Sequence, residues 1–195
     1  MRVMTHLVLW AVGLAEAESQ TTEAERACLV RWATGRRRVV EIGVWHGATS
    51  RRLRAAMAAD GVLIAVDPYP SGRLGFSAQR FIALREVGRV PNGSVRWIRR
   101  TGAGAAATYG QSDGAPVDFL FIDGDHRYET VRADWEAWTP FVRRDGVVAL
   151  HDSRAIPDRD IANAGSAVFT RTVVLEDKGF DLVDTADSLT VVRRR

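Results

Sequence analysis

Short apolar segments that alternate with helix-like segments are the feature that most restricts the fold of this chain. Five of them have the length and composition of buried strands, and they lie at residues 39–44, 62–66, 95–98, 117–122 and 147–150. The segments between them are predicted to be helices at about 48–59, 77–87, 102–109 and 129–138. Strands that alternate with helices predict an α/β fold with a largely parallel sheet.

The two ends of the chain extend this pattern. The elements predicted there are helices at 3–17, 22–33 and 166–177 and strands at 180–184 and 189–193. The last two strands are short and close in sequence, and we expect them to form an antiparallel hairpin at one edge of the sheet. A chain of 195 residues corresponds to one domain, in which residues 1–35 add N-terminal helices to the main unit at 36–195.

Composition excludes several classes of protein. Hydrophobic residues make up 46% and charged residues 26% of the chain, which is ordinary globular usage, and no apolar run approaches the roughly 20 residues that span a bilayer. The single cysteine, Cys28, cannot form an intrachain disulfide. The run Leu7–Ala15 is interpreted as an amphipathic helix rather than a secretion signal, because the basic region before it is a single arginine.

The basic residues are almost all of one kind. All 27 are arginine except Lys178, and the net charge is +3. The arginines lie in dispersed clusters, which favours solvated helix and strand ends over a nucleic-acid surface. We therefore expect a cytoplasmic protein that binds neither nucleic acid nor a membrane.

Glycines and an aspartate follow the first two predicted strands. Gly43 and Gly47 lie in the segment Glu41-Ile42-Gly43-Val44-Trp45-His46-Gly47, where glycine lets the backbone approach a ligand and turn into a helix. Asp67 closes the second strand, a position suited to accept hydrogen bonds from a ribose diol. Ligands of such sheets bind outside the carboxyl ends of the strands. The alternative is a tight strand-to-helix turn followed by an ordinary turn aspartate.

Acidic residues and histidines follow the fourth and fifth strands. Asp123-Gly124-Asp125-His126 ends one, and His151-Asp152 ends the other. Adjacent strand ends would bring Asp123 and Asp152 together, and two carboxylates repel unless a proton or cation compensates them. Oxygen-rich sites suit magnesium, calcium or manganese. The alternative is that these acids cap the helices that follow.

These motifs together resemble the class I S-adenosylmethionine-dependent methyltransferases. The motifs that carry the resemblance are Glu41-x-Gly43-x-x-x-Gly47, Asp67, Phe121–Tyr128, Asp145-Gly146 and His151-Asp152. More narrowly, the D-G-D-H-x-Y-E segment is similar to that of metal-dependent sugar O-methyltransferases of antibiotic pathways and of cephalosporin-hydroxylase-like proteins. The resemblance covers residues 36–193 and implies a Rossmann-like, mostly parallel seven-stranded sheet with helices on both faces and a C-terminal antiparallel hairpin.

The resemblance also implies roles for particular residues. Those assigned to S-adenosylmethionine are Glu41, Gly43, Gly47, Asp67, Thr101 and Asp123. The assigned metal ligands are Asp123, His151 and Asp152, with magnesium as the expected ion, although His151 stands where the family often has a carboxylate and imidazole is a poorer magnesium ligand. His126 matches the general base, for which a neutral imidazole is suited. Alternatively, His126 is a helix N-terminal residue bonded to its acidic neighbours.

The function implied is metal-assisted O-methylation of a hydroxyl on a small molecule or sugar of secondary metabolism, such as antibiotic biosynthesis. Two alternatives stay open: a metal-independent small-molecule methyltransferase, and a non-methylating cofactor-binding protein of the cephalosporin-hydroxylase-like type. The loops at 68–76 and 153–165 are predicted to shape the acceptor pocket. The sequence identifies neither the acceptor nor the oligomeric state, so a homo-oligomer stays open.

Overall fold

A seven-stranded sheet forms the centre of the computed structural model, which describes residues 2–72, 75–157 and 159–195. Its strands are β1 (Arg38–Ile42), β2 (Val62–Val66), β3 (Ser94–Ile98), β4 (Val117–Ile122), β5 (Val142–Leu150), β6 (Phe180–Ala186) and β7 (Leu189–Arg194). The spatial order is β3-β2-β1-β4-β5-β7-β6. Strands β1 to β5 pair in parallel, and β7 runs antiparallel between β5 and β6. The predicted fold and its C-terminal hairpin are confirmed.

Helices cover both faces of the sheet. They are α1 (Arg2–Ala11), α2 (Glu23–Ala33), α3 (Ala48–Ala56), α4 (Ala78–Gly88), α5 (Gly102–Ser112), α6 (Tyr128–Trp138) and α7 (Gly165–Phe169), with a 3-10 turn at Thr139–Phe141 and a π turn at Thr170–Val174. Successive strand residues point to opposite faces. Val39 of β1 therefore packs in one cluster with Leu29 of α2, while Val40 packs in the other with Trp135 of α6.

The first helix is shorter than the sequence predicted. It ends at Ala11, so the prediction of a helix over 3–17 is wrong beyond that residue. Gly13 adopts a left-handed φ of 77° and donates its N–H to the carbonyl of Trp10 at 3.0 Å, a common way for glycine to end a helix. The chain then runs without helix to Thr22, and residues 18–20 reach the carboxyl edge of the sheet.

Strand β5 begins earlier than predicted, at Val142 instead of residue 147. Its register with β4 shifts between Val117 and Phe119, and Asp145 has a left-handed φ of 61°. The Asp145-Gly146 pair, which precedes the predicted strand at 147–150, therefore lies within β5 as a bulge.

The N-terminal helices pack against the rest of the chain. In α1, the Trp10 indole donates a hydrogen bond to Glu86 of α4 at 2.8 Å, and α2 contacts α3 and β6. Thr22 and Glu25 form a capping box at the start of α2, because each accepts the other's backbone N–H. Within the described residues, no helix has both the length and the apolar character needed to cross a membrane.

Candidate functional site

A cavity of about 480 Å³ lies at the carboxyl edge of β1, β2 and β4, the edge at which ligands bind in parallel sheets. We call it the carboxyl-edge cavity. Six of the residues predicted for the site line it, namely Glu41, Gly43, Asp67, Thr101, Asp123 and His126. The segment Glu18–Gln20, Trp45 and Asp134 also line it, and none of these was predicted from the sequence.

Gly43 lets the loop after β1 pass against the end of β4. Its φ is 90°, and a Cβ there would overlap the carbonyl of Asp123, coming within 2.5 Å of the carbonyl carbon and 2.8 Å of the Gly124 nitrogen. The backbone around it is fixed, since Gly43 N–H donates to Val66 at 2.9 Å and Asp123 N–H donates to Ile42 at 2.8 Å. Only glycine satisfies both the conformation and this approach.

Asp67 organises the loops around the cavity. One carboxylate oxygen accepts the backbone N–H groups of Val44 and Trp45, each at 3.1 Å, and the other accepts that of Tyr69 at 2.8 Å. Trp45 and Tyr69 both have left-handed φ values, of 52° and 41°, which is the kind of strain found at functional sites. A carboxylate offers about four acceptor positions, so Asp67 keeps capacity for a further donor in the cavity.

Glu41 is a buried carboxylate that lacks a full set of partners. It accepts a hydrogen bond from Ser50 on one oxygen, while its Oε1 is buried without a partner in the described chain. Burial raises the pKa of Glu41 well above its ordinary value, and the nearby carboxylates of Asp123 and Asp67 raise it further. A cation bound in the carboxyl-edge cavity would stabilise this charge.

Two other predicted cofactor residues have structural roles here. Gly47 is not among the residues that line the cavity; at φ 76° it begins α3, and a Cβ there would come within 3.0 Å of the Ala83 Cα in α4. Thr101 caps α5 by accepting the Gly104 N–H at 3.4 Å and also borders the cavity. A cofactor role for either residue stays a prediction.

Beside the cavity, β4 and β5 bring a group of side chains together as the sequence predicted. Asp123, His126, His151 and Asp152 form what we call the histidine cluster. Ile122 pairs with Leu150, so the residues that follow are neighbours. His151 Nδ1 lies 2.9 Å from Asp123 Oδ1 and 3.5 Å from Asp152 Oδ1.

Glu25 of α2 lies behind this cluster and was not predicted to belong to the site. Its Oε2 is 3.2 Å from His151 Nε2, and its Oε1 accepts from the Ser188 N–H at 2.9 Å and from the Ser188 hydroxyl at 2.6 Å. Burial raises the pKa of Glu25, but the hydrogen bonds from His151, Ser188 and Thr22 outweigh it and lower the pKa to about 2. For His151 the directions are reversed. Burial lowers its pKa, but the carboxylates of Asp123 and Glu25 outweigh burial and raise the pKa to about 10.

Asp152 is held by a cation. Arg159 donates from Nη2 to Oδ2 at 2.7 Å, and its Nη1 lies 2.7 Å from Oδ1. The Ser188 hydroxyl, whose proton the closer Glu25 Oε1 accepts, lies 3.1 Å from Oδ1. Arg159 lies in the loop at 153–165, which was predicted to shape the acceptor pocket. Asp158 of that loop, and Arg73 and Leu74 of the loop at 68–76, lie outside the described residues.

His126 stands where the histidine cluster meets the carboxyl-edge cavity. Its Nε2 lies 3.6 Å from Asp152 Oδ2, and its side chain is 36% exposed. Its carbonyl accepts the Ser166 N–H at 2.9 Å, and the Ser166 hydroxyl donates to the Asp152 carbonyl at 2.6 Å. The start of α7 therefore fixes both loops at once and holds His126 beside Asp152, while the base and ligand roles of these residues stay predictions.

The sheet order, the antiparallel last pair and the cavity at the carboxyl edge define a Rossmann-like α/β protein of the class I methyltransferase type. A family model described as "Methyltransferase domain" matches residues 40–153, more than half of the chain. The chain belongs to this methyltransferase family.

Solved structures share the fold at low sequence identity. The O-methyltransferase TomG from Streptomyces achromogenes, in complex with SAM, has a TM-score of 0.65 at 16% identity, over 98% of this chain and 87% of that one. An O-methyltransferase from Bacillus cereus, in complex with SAH, has a TM-score of 0.67 at 16% identity, over 100% of this chain and 89% of that one. CalS11, a TDP-rhamnose 3′-O-methyltransferase of calicheamicin biosynthesis, has a TM-score of 0.63 at 18% identity, over 98% of this chain and 91% of that one.

Proposed function

We propose that this chain is an S-adenosylmethionine-dependent O-methyltransferase that acts on a hydroxyl group of a small molecule with the help of a divalent metal ion. The observation that carries the proposal is the meeting of two sites at one edge. The carboxyl-edge cavity, with Glu41 and Asp67, opens onto the histidine cluster, where His126 lies against Asp152.

The cavity has the charges that this cofactor needs. S-adenosylmethionine carries a sulfonium and an ammonium group, and a cation of this kind would stabilise the ionised form of Glu41, whose buried Oε1 is unpartnered in the described chain. Asp67, at the end of β2, has acceptor capacity for the ribose hydroxyls. TomG and the Bacillus cereus enzyme, which share this fold, hold SAM and SAH.

The side chains of the histidine cluster also fit a divalent ion. Asp123, His126 and His151 each offer a ligand atom, and these atoms lie within 4.8 Å of one another. His151 Nδ1 faces Asp123 Oδ1 at 2.9 Å, and an ion bound there would take the place of the proton on Nδ1, while Glu25 holds Nε2. Metal-binding histidines commonly bond a carboxylate through the other ring nitrogen, so this arrangement supports a metal role for Asp123 and His151, with Asp152 Oδ1 3.5 Å from the same nitrogen.

The donor set changes which ion we expect. Imidazole suits zinc, iron, nickel or copper better than magnesium, and the His151 side chain is the most buried member of the cluster. We therefore propose a transition-metal ion in place of the magnesium that the resemblance implied. Such an ion lowers the pKa of a hydroxyl group that binds to it.

The residues of this chain would perform the transfer as follows. Glu41 and Asp67 hold the cofactor so that its methyl group faces the histidine cluster, and the acceptor hydroxyl lies beside His126. His126 takes the hydroxyl proton as the oxygen attacks the methyl carbon. The carbon–oxygen bond forms as the carbon–sulfur bond breaks, which leaves S-adenosylhomocysteine and a protonated imidazole. Alignment of the two reactants lowers the barrier.

A metal-independent methyltransferase is the second candidate, and Arg159 favours it. The guanidinium contacts both oxygens of Asp152 and so places a positive charge where an ion would lie. The acceptor class, a sugar or another hydroxylated compound of secondary metabolism, is proposed by analogy with CalS11. A panel of sugars and phenols, with S-adenosylhomocysteine formation as the readout, tests the acceptor class. Cofactor binding without methyl transfer to any of these compounds would favour a non-methylating protein.

Metal removal tests the metal part of the proposal. We expect protein freed of metal by a chelator to bind Zn²⁺ or Co²⁺ at least about ten-fold more tightly than Mg²⁺ because of the imidazole ligand, measured by calorimetry and by the Co²⁺ absorption spectrum. Chelation and Asp152→Ala should both reduce turnover while S-adenosylhomocysteine still binds. Asp118→Ala is the control, because Asp118 accepts backbone N–H groups at the opposite edge of the sheet. Full activity in excess chelator, with no metal bound, would leave the metal-independent candidate.

Replacement of Asp67 tests the cofactor part. A charge-assisted hydrogen bond is worth about 1.5–3 kcal/mol, so Asp67→Ala should weaken S-adenosylmethionine binding about ten-fold or more by calorimetry. The same change leaves three backbone N–H groups without their acceptor, so stability should also fall. Asp118→Ala should lower stability in the same way without weakening cofactor binding, and equal affinity in the two variants would remove Asp67 from the cofactor site.

A further inference from the structure

We propose that a divalent transition-metal ion binds at a place separate from the histidine cluster, between His6 of α1, Glu18 of the segment after α1 and His46 of the loop after β1. We call these three side chains the N-terminal cluster. Each offers a ligand atom, and the three atoms lie within 4.8 Å of one another. The inference stands apart from the proposed transfer reaction, since none of the three residues has a part in it.

The distances within the N-terminal cluster suit a shared ion better than direct hydrogen bonds. Glu18 Oε1 lies 3.4 Å from His6 Nδ1, and Glu18 Oε2 lies 3.7 Å from His46 Nδ1. Both distances exceed the range of about 2.7–3.2 Å that is usual for an N–H···O hydrogen bond. Two ligand atoms on one tetrahedral Zn²⁺ ion, each about 2.1 Å from the metal, lie roughly 3.4 Å apart. The Glu18 side chain is 54% exposed and so has room for the small adjustment that an ion would require.

His46 directs a lone pair toward the Glu18 carboxylate. The Glu18 backbone N–H donates to His46 Nδ1 at 3.2 Å, which requires that Nδ1 carries no proton. Nδ1 and the carboxylate are then both acceptors, so neither can donate to the other, and a cation between them would satisfy both. Burial lowers the pKa of His46 and Glu18 only partly opposes this, so the ring is neutral at pH 7, the form that binds a metal ion.

The two imidazole rings are stacked. Their planes are parallel to within 5° and their centroids are 4.8 Å apart. The His6 side chain is 18% exposed and that of His46 is 3% exposed, and His6 Nε2 is buried without a hydrogen-bond partner among the residues that the structure describes. Two protonated rings at this separation would repel each other, so stacking favours the neutral pair. Two neutral imidazoles and one carboxylate are a ligand set that suits Zn²⁺ and leaves a fourth position for water.

An ion in the N-terminal cluster would join the N-terminal segment to the loop after β1. The packing of α1 brings His6 to this place, because the Trp10 indole of the same helix is bonded to Glu86 of α4. Glu18 and His46 are 28 residues apart in sequence, and α1 is a third, separate element. The ligands therefore come together only in the folded chain, so bound metal should stabilise the fold.

Metal titration of variants tests the site. Protein without a histidine tag is freed of metal by a chelator and titrated with Zn²⁺ by calorimetry, and native mass spectrometry counts the ions bound per chain. His6→Gln should weaken one Zn²⁺ site about a hundred-fold or more, since loss of even an outer-shell partner costs about 10–100-fold in affinity. Glu18→Gln should weaken the same site about ten-fold or more. Glu16→Gln is the control, because Glu16 is an exposed carboxylate of the same segment outside the cluster.

Asp123→Asn separates this site from the histidine cluster. That variant should keep the ion of the N-terminal cluster, and Zn²⁺ at about 100 times the dissociation constant should raise its melting temperature by about 5 °C or more. The rise should disappear when His6→Gln is added.

Equal Zn²⁺ number and affinity in wild-type protein and in His6→Gln would overturn the inference and leave the cluster as a stacked pair beside a carboxylate. If His6→Gln does not fold, Glu18→Gln, at an exposed position, decides in the same way. An ion lost in Asp123→Asn and kept in His6→Gln and in Glu18→Gln would support the histidine cluster alone and also overturn the inference. The opposite result would support the N-terminal cluster and leave the metal part of the proposed function without its ion.

Discussion

The His126→Ala variant is expected to transfer methyl groups about a hundred-fold or more slowly than the wild type, the usual contribution of a general base. His126 is the member of the histidine cluster that both borders the carboxyl-edge cavity and is substantially exposed, so an acceptor hydroxyl can reach it. Affinity for S-adenosylhomocysteine should change little, because the proposed cofactor contacts are those of Glu41 and Asp67. The measurement is single-turnover transfer to an acceptor found in the panel, with calorimetry of cofactor binding alongside.

Two comparisons make this result specific to proton transfer. Imidazole added to the solution should restore part of the lost rate to His126→Ala, because it supplies the missing base. Arg127→Ala, at the next position, should keep most of the activity, since Arg127 is exposed and pairs with Asp125. A fully active His126→Ala would mean that the residue is the helix N-terminal histidine of the alternative interpretation.

The Gly43→Ala variant is expected to lose cofactor binding and to be destabilised by more than about 2 kcal/mol. A left-handed conformation costs a residue with a Cβ roughly 1–2 kcal/mol, and at Gly43 the new methyl group would also overlap the Asp123 carbonyl. Relief of that overlap must move either the loop after β1 or the end of β4, and both border the cavity. Chemical denaturation and titration with S-adenosylhomocysteine measure the two effects.

Gly35 provides the matched control for this variant. It also has a left-handed φ, of 70°, but a Cβ there would meet nothing within 4 Å. Gly35→Ala should therefore lose only about 1 kcal/mol and bind the cofactor as the wild type does. If both variants lose the same stability and both still bind, the close approach at Gly43 has no consequence for the site.

The parts of the site that lie at strand ends could be predicted because the sheet itself brings them together. A parallel register places the residue after β4 beside the residue after β5, so Asp123 and Asp152 follow from the recognition of two neighbouring strands. Asp67 follows from the same rule applied to β2. These predictions need the order of the strands but no knowledge of how helices pack.

The parts that come from helices could not be predicted in this way. Glu25 reaches His151 only because α2 packs beside the turn between β6 and β7, and no local pattern encodes that contact. Asp134 did leave a signal, because it lies three residues after Val131 and four before Trp138, on the buried face of α6. An acidic residue on the apolar face of a helix is a buried polar group that requires a partner. Gly13 is likewise a signal for the early end of α1, because glycine commonly ends a helix in a left-handed conformation.

The contact between Glu25 and His151 also determines where the chain can be truncated without loss of a residue that supports the histidine cluster. The matched family region spans residues 40–153, which suggests a minimal fragment without the N-terminal helices. A chain that begins at residue 40 and keeps its C-terminal strands would lose the only carboxylate that the described residues place at His151 Nε2 and would leave the Ser188 N–H without its acceptor. A buried group left unsatisfied costs about 1–3 kcal/mol. Recombinant fragments and chimeras of this enzyme should therefore begin upstream of α2, and a homologue's N-terminal segment can replace residues 1–35 only if it carries a carboxylate to the same position.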